Sequence, residues 1–210
     1  MVYLENKLFY RREWKNLPAK KTFSDEQVIN QIMLLFWQNG YYHTSMDEIV
    51  ATSGVKKQSL YNALGDKHTL YLKSLQHYHQ QTLAACAQTM QQLEQAGESP
   101  LAVLMMLYRR DLTDSHHPAG DLMANAIAEF GTSDSEVKQA TDHFYEDYLT
   151  LMGAAILKGQ ANQLIITTTT SMALAQSVLE ARIGLQTRLR QGIQPNIDQR
   201  EQAWRKFLQA

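Results

Sequence analysis

The sequence is poor in the residues that mark several protein classes. Its 210 residues include one cysteine, four prolines and ten glycines. A lone cysteine, Cys86, makes no internal disulfide, which excludes a disulfide-stapled scaffold and makes a reducing cytoplasm the simplest compartment. The few chain breakers sit mostly between apolar stretches, which favours helices over many short strands. No run of about 18 apolar residues occurs, so no transmembrane helix and no membrane partner are expected. The N-terminal MVYLENKLFYRREWK is charged throughout and has no apolar segment, so no secretory leader is expected. Strand-type alternation and repeats of about 20–50 residues are also missing. The β-branched run 165–170 is isolated and reads as a loop leading into a helix. There is no paired nucleophile and base and no metal-ligand cluster, so no catalytic residue, metal or cofactor is expected. His116 and His117 lie near Asp114 and Asp121, but adjacent histidines in a loop point apart, which favours a solvated loop over a metal site.

The sequence is 44% hydrophobic, enough for a true core. Its formal net charge is −1. The distribution says more than the total. Residues 1–79 hold ten Lys/Arg against seven Asp/Glu, a balance of +3, whereas residues 80–210 hold ten against fourteen, a balance of −4. A basic head on an acidic body is the pattern of a localised electrostatic footprint.

Helical signals run through the chain. Ser24 with Gln27 has capping-box spacing ahead of Val28, Ile29, Ile32, Leu35 and Phe36, an apolar face that ends at Gly40. Ser45 with Glu48 opens a second, short helix with Met46, Ile49 and Val50 inward, stopped by Gly54. A third, 56–64, follows at once and is broken by Gly65. Asp66 then caps a long helix to about residue 96, striped by Leu75, Tyr78, Thr82, Cys86, Met90 and Leu93. After the break at 97–100, helices are expected over 101–112, 121–130, 133–159 (with a capping box from Ser133 to Glu136), 168–191 and 196–208. The fold class is all-α: an N-terminal three-helix head, 1–72, and a larger helical domain, 73–210.

Two short helices joined by a glycine turn, after a longer first helix, have the layout of a helix-turn-helix. The residues at the front of the second one suit that use. Lys56, Lys57, Gln58, Ser59 and Asn62 lie on or near its N-terminal end. Gln58 and Asn62 are four apart on one face, and either amide can pair with an adenine edge. Lysines at a helix start oppose the helix dipole at a cost of a few tenths of a kcal/mol up to about 1 kcal/mol, so an external anion is the natural reason for them. Tyr61, one residue past the inward Leu60, points sideways toward a backbone. Lys67 is another cation at an unfavourable helix start, and phosphate is a common partner for all of these groups. Taken alone, Lys56 and Lys57 would read as a solvated turn; the surrounding pattern reverses that.

The series Thr44-Ser45-Met46-Asp47-Glu48-Ile49-Val50-Ala51, Gly54-Val55, Ser59-Leu60-Tyr61 and Asp66-Lys67-His68-Thr69-Leu70-Tyr71 resembles the DNA-binding domain of TetR-like transcriptional repressors. Phe36-Trp37-Gln38-Asn39-Gly40-Tyr41 resembles the aromatic ending of that family's first helix. The likeness spans roughly residues 22–72; beyond it only the architecture is similar. It implies that Thr44 and Ser45 lie near phosphate, that Lys56 to Ser59 and Asn62 face the major groove, that Tyr61 and Lys67 clamp the backbone, and that Lys20 and Lys21 form a basic arm. Leu64 stands where many members carry an aromatic. Asp47 stands where an arginine often reads a base or phosphate, so that contact is expected to be missing. Residues 1–19 are a longer and more aromatic extension than the family pattern.

The resemblance also implies a palindromic operator, a homodimer and a small-molecule effector of unknown identity that releases the DNA. Methionines and aromatics are simplest as core, but they also line apolar ligand pockets. Cys86, Met90, Met105, Tyr108, Met123, Phe130, Phe144 and Tyr148 are the candidate effector-pocket residues, with Met106 and Met152 beside them. Cys86 itself reads as a small buried apolar residue rather than a reactive sensor, which would need an exposed electropositive setting. Gly153, Ala154, Ala173, Ala181 and Gly184 let helices approach closely and are the candidate dimer contacts; close packing within one subunit is the alternative. The rival to a DNA-binding regulator is an α-helical enzyme or an interaction module with the same tri-helical head.

Overall fold

The computed structural model describes residues 24–112 and 117–209. Among the described residues there are nine helices and no strand: α1 Asp25–Asn39, α2 Met46–Ser53, α3 Lys57–Leu64, α4 Lys67–Gln95, α5 Pro100–Arg109, α6 Leu122–Phe130, α7 Ser135–Ala161, α8 Ser171–Arg190 and α9 Ile197–Gln209. The expected elements are all present, and 165–170 is a loop.

The caps explain the boundaries. Ser24 and Gln27 satisfy each other's backbone amides at 3.2 and 3.4 Å, and Ser45 and Glu48 do the same at 3.2 and 2.7 Å. Each pair ties down donors that the first turn of a helix leaves free. Asp66 accepts from the Thr69 amide at 2.8 Å and so starts α4. One expected cap is corrected. Asp134, not Ser133, starts α7, accepting from the amides of Glu136 and Val137 at 3.0 Å. A carboxylate there also meets the positive end of the helix dipole, and the Ser133 hydroxyl instead donates back to Phe130 O.

α1, α2 and α3 form the head. α4 has 29 residues and runs from it into the body, so residue 72, the expected domain boundary, lies inside this helix. The stripe on α4 buries Leu75, Tyr78, Thr82 and Cys86, with Met90 and Leu93 partly covered. In the body α7 packs on α4, α5, α6 and α8, and α9 lies against α5. The chain end is pinned by the Ile166 amide, which donates to Leu208 O at 2.8 Å, and by Arg109, which bridges Asp198 and Glu201 at 2.7 Å each. One apolar cluster runs continuously from Val28 to Leu208, so head and body share a core.

Candidate nucleic-acid interface

The turn between α2 and α3 is built around Gly54. Its φ is +66°, in the left-handed region, and a Cβ there would meet nothing within 4 Å, so backbone conformation rather than space requires glycine. Val55, Leu60 and Leu64 are buried beneath α3 beside Ile49 of α2. Fixing those residues inward leaves Lys56, Lys57, Gln58, Ser59, Tyr61 and Asn62 exposed on one continuous surface. At the far end, Lys73 of α4 donates to Leu64 O at 3.0 Å and ties the last turn of α3 to the long helix. Sequence reading missed Lys73; its position seven residues past Asp66 carries no local signal for that contact.

The N-terminus of α3 is bare. Lys56 occupies the cap position and supplies no side-chain hydrogen bond. First-turn amides and the dipole therefore face solvent, an arrangement that attracts anions. Lys57 Nζ is 3.0 Å from Asp47 Oδ1, with both side chains well exposed. Hydrogen bonding and attraction from Asp47 hold the Lys57 ammonium above its ordinary pKa. Gln58 Nε2 donates to Asn62 Oδ1 at 3.0 Å, so the two amides named as base readers bond to each other. Ser45 is exposed, though its hydroxyl is engaged by Glu48.

Two other positions differ from expectation. Thr44 is buried, and its hydroxyl donates to Gly40 O at 2.7 Å, so it closes the α1–α2 turn and presents no hydroxyl to phosphate. Lys67 lies over the Tyr41 ring with Nζ 4.2 Å from the centroid, and burial lowers its pKa. A cation at the unfavourable end of α4 thus has an internal partner in the ring face. Lys20 and Lys21 lie outside the described residues, as do Asp114, His116 and the 1–19 extension.

The head is held against the body at four places. Trp37 Nε1 donates to Gly120 O at 3.2 Å, and Arg190 donates to Gln38 O at 2.8 Å. Glu129 accepts from the amides of Tyr41 and Tyr42. His68 Nε2 is 2.7 Å from the Asp134 carboxylate. Phe36, Tyr41, Tyr42, Tyr71 and Phe130 stack between these ties, with centroids 5.0–6.1 Å apart.

Residues 28–73, spanning this head, match the family model for bacterial regulatory proteins of the tetR family. The match covers the head alone, and the likeness to the tetR family is a likeness of this segment. The HTH-type transcriptional repressor ComR of Escherichia coli (strain K12) is 30% identical over 111 residues, a match spanning 53% of each chain, so about half the length of that relative. The HTH-type regulator YezE of Bacillus subtilis (strain 168), itself uncharacterised, is 26% identical over 80% of this chain and 87% of its own. Among solved structures, a cysteine mutant of the TetR family regulator CifR, complexed with 26-bp double-strand operator DNA, has a TM-score of 0.73 at 20% identity, covering 91% of this chain and 99% of that one. The head is thus similar in sequence to that of bacterial regulators, and the whole chain is similar in fold to a regulator solved on operator DNA.

The body places the remaining candidates. Cys86, Met105, Met123, Phe130, Phe144 and Tyr148 are buried, and Met90 is partly covered. Burial raises the Cys86 thiol pKa, the opposite of what a reactive thiolate needs. Phe130 joins the head–body aromatic stack rather than the interior. Tyr108 borders a groove of about 520 Å³ between α8 and α9, with Arg188, Arg200 and Trp204. Two of the five dimer candidates, Ala181 and Gly184, line that same groove. Ala154 and Ala173 are exposed, whereas Gly153 is buried with Met172 packed over it. Leu157 is 60% exposed and Met172 50%, and these larger apolar residues share the outer face of α7 and α8.

Sequence reading missed the buried polar centre. Arg182 and Asp121 are both fully buried and 3.1 Å apart. Arg182 also donates to Arg110 O and lies 5.0 Å over the Tyr148 ring. The pair is 61 residues apart in sequence, so no local pattern links them.

Proposed function

We propose that this regulator is a cytoplasmic repressor that binds a palindromic operator as a homodimer and leaves it when a small-molecule effector binds the body. The observation that carries the reading is α3, buried on one side by Leu60 and Leu64 and uncapped at its N-terminus, with Lys56, Lys57, Gln58, Ser59, Tyr61 and Asn62 exposed on the other. One eight-residue helix buries too little area for specific binding, so two copies set about 34–36 Å apart are needed. Exposed Leu157 and Met172, beside the exposed Ala154 and Ala173, support α7 and α8 as the face that pairs them. The repressor role is supported by the likeness to ComR. Release by an effector is supported by the ties between α6, α8 and the head, through which a change in the body reaches α1; the eight effector-pocket candidates remain the proposed effector contacts.

The test is duplex binding by fluorescence anisotropy with DNA from upstream of the regulator's own gene, across a salt series, with oligomeric state measured by sedimentation. The reading expects a dimer and an affinity that falls steeply with salt. Absence of binding at low salt, or a monomer that binds as tightly as the dimer, overturns it.

A further inference from the structure

The groove of about 520 Å³ between α8 and α9 has a size that suits a small molecule, within the roughly 300–1,000 Å³ usual for such sites. Leu185, Trp204 and Phe207 give it apolar walls, and Phe207 is 54% exposed. The rings of Trp204 and Phe207 meet edge to face, with centroids 5.7 Å apart and planes at 84°. Small residues leave room beside them. A Cβ on Gly184 would meet nothing within 4 Å, and Ala203 of α9 is exposed.

The charge in the groove is of one sign. Arg188 of α8 and Arg200 of α9 both line it, and both are exposed. Among the described residues no carboxylate lines it, and neither guanidinium has a hydrogen bond or an ion pair. The neighbouring pairs explain this. The two acids of α9, Asp198 and Glu201, are each held by Arg109 at 2.7 Å, and Glu201 is also held by Arg205 at 2.7 Å. Arg200 is left with no acid on its own helix. Two cations on one apolar groove repel each other, and a single anion between them relieves both. Exposed apolar surface beside unpaired cations is what an amphipathic anion covers. A carboxylate is the anion that a guanidinium fork fits with two parallel N–H donors.

We propose that the α8–α9 groove binds a small flat aromatic carboxylate, with its ring against Trp204 and Phe207 and its carboxylate between Arg188 and Arg200. Each of these groups is open to solvent: Trp204 is partly exposed and the other three are exposed. A flat ring suits the edge-to-face pair, since it can stack on one ring while meeting the edge of the other. Apolar walls offer nothing to a bare phosphate, so the body of the ligand is part of what is recognised. Of the eight effector-pocket candidates only Tyr108 borders this groove. Arg190, two residues past Arg188, donates to Gln38 O of the head at 2.8 Å, so the groove adjoins a head–body tie. Any consequence for DNA rests on the regulator reading above; the binding itself does not.

The experiment titrates the isotope-labelled full chain, without DNA, with 2-naphthoate, 2-naphthamide and 2-naphthylmethylammonium in turn, following the indole N–H resonance of Trp204. Naphthoate is expected to shift it saturably, with a Kd on the order of 0.1–1 mM for so small a ligand. Naphthamide keeps the ring and loses the charge, and is expected to bind about fivefold more weakly or worse. The ammonium compound is expected to give no saturable shift. Arg188→Gln and Arg200→Gln are each expected to raise the naphthoate Kd about fivefold. Ala203→Trp, which fills the groove, is expected to abolish the shift and to leave the sedimentation of the chain unchanged. No saturation with naphthoate, naphthamide binding as tightly, or an unchanged Kd in both arginine variants overturns the proposal. A dimer that Ala203→Trp converts to a monomer assigns the groove to a second copy of the chain and overturns it as well. A urea midpoint for each variant confirms that it is folded. Failure here leaves DNA binding intact, and failure of DNA binding leaves this titration standing.

Discussion

The Glu129 carboxylate accepts a 2.8 Å hydrogen bond from the backbone amide of Tyr41. The two residues are 88 apart, one at the end of α6 and the other just after α1. The same oxygen takes the Tyr42 amide at 3.2 Å. A carboxylate acceptor from the body thus fastens the α1–α2 connection, ahead of the helix-turn-helix. Glu129→Ala leaves both amides without that partner and is expected to cost about 1.5–3 kcal/mol, measured by urea denaturation. Glu129→Gln, which keeps one acceptor, is expected to lose less. Equal stability of all three proteins would show that the contact carries no weight.

Gly40 stands beside this contact. Its φ is +85°, and a Cβ there would come within 2.5 Å of Glu129 Oε1. Gly54 shares the positive φ but has open space around it. Gly40→Ala is therefore expected to lower stability more than Gly54→Ala, whose cost is the left-handed backbone alone, about 1–2 kcal/mol. Parallel denaturation of the two variants decides the order.

The buried pair Arg182–Asp121 behaves differently from the surface bridges. Removing one member strands a charge in the core, so Asp121→Asn and Arg182→Met are each expected to cost about 3–5 kcal/mol. The double variant is expected to lose much less than the sum. A double-mutant cycle measures this, and additive losses would contradict it.

At the DNA surface, Asp47 holds Lys57 at 3.0 Å and opposes its use by phosphate. Asp47→Ala is expected to tighten operator binding up to about fivefold, since an exposed pair is worth no more than about 1 kcal/mol. Lys57→Ala is expected to weaken binding and reduce the salt slope by about 0.9 if Lys57 meets one phosphate. Anisotropy titrations over a salt series read both.

Asp111 gives a pH signature. Burial is the main cause of its raised pKa, against lowering by Arg110 and Arg182. A raised folded-state pKa on an acid means stability is greatest below the unfolded value of about 3.9 and is lost as pH rises through the folded value. Asp111→Asn removes that loss while tolerating the positive φ. It is expected to raise stability at neutral pH, with the gain shrinking as pH falls toward about 4. A constant or inverted difference across that window would refute it.

Local chemistry made much of this molecule legible. Ser24, Ser45, Asp66 and the glycines at 40, 54 and 65 fix the first four helices because caps and turns are decided within a few residues. The same locality placed Lys56 to Asn62 on one exposed surface once Leu60 and Leu64 were taken as inward. It failed at Thr44, where a hydroxyl next to the real cap, Ser45, turned inward to Gly40. It failed at Ser133 for the same reason: Asp134, one residue on, is the stronger cap.

What the sequence determined by itself is the set of helices, the helix-turn-helix order and the recognition surface, since each follows from spacings of three or four residues. Only the tertiary structure decided that Lys67 lies on Tyr41, that Glu129 grips the α1–α2 connection, that Arg182 meets Asp121, and that Tyr78 and Arg110 border one cavity. Those contacts join distant segments whose separation is set by how α4, α6 and α8 pack, and packing is a property of the whole core rather than of any short stretch of chain.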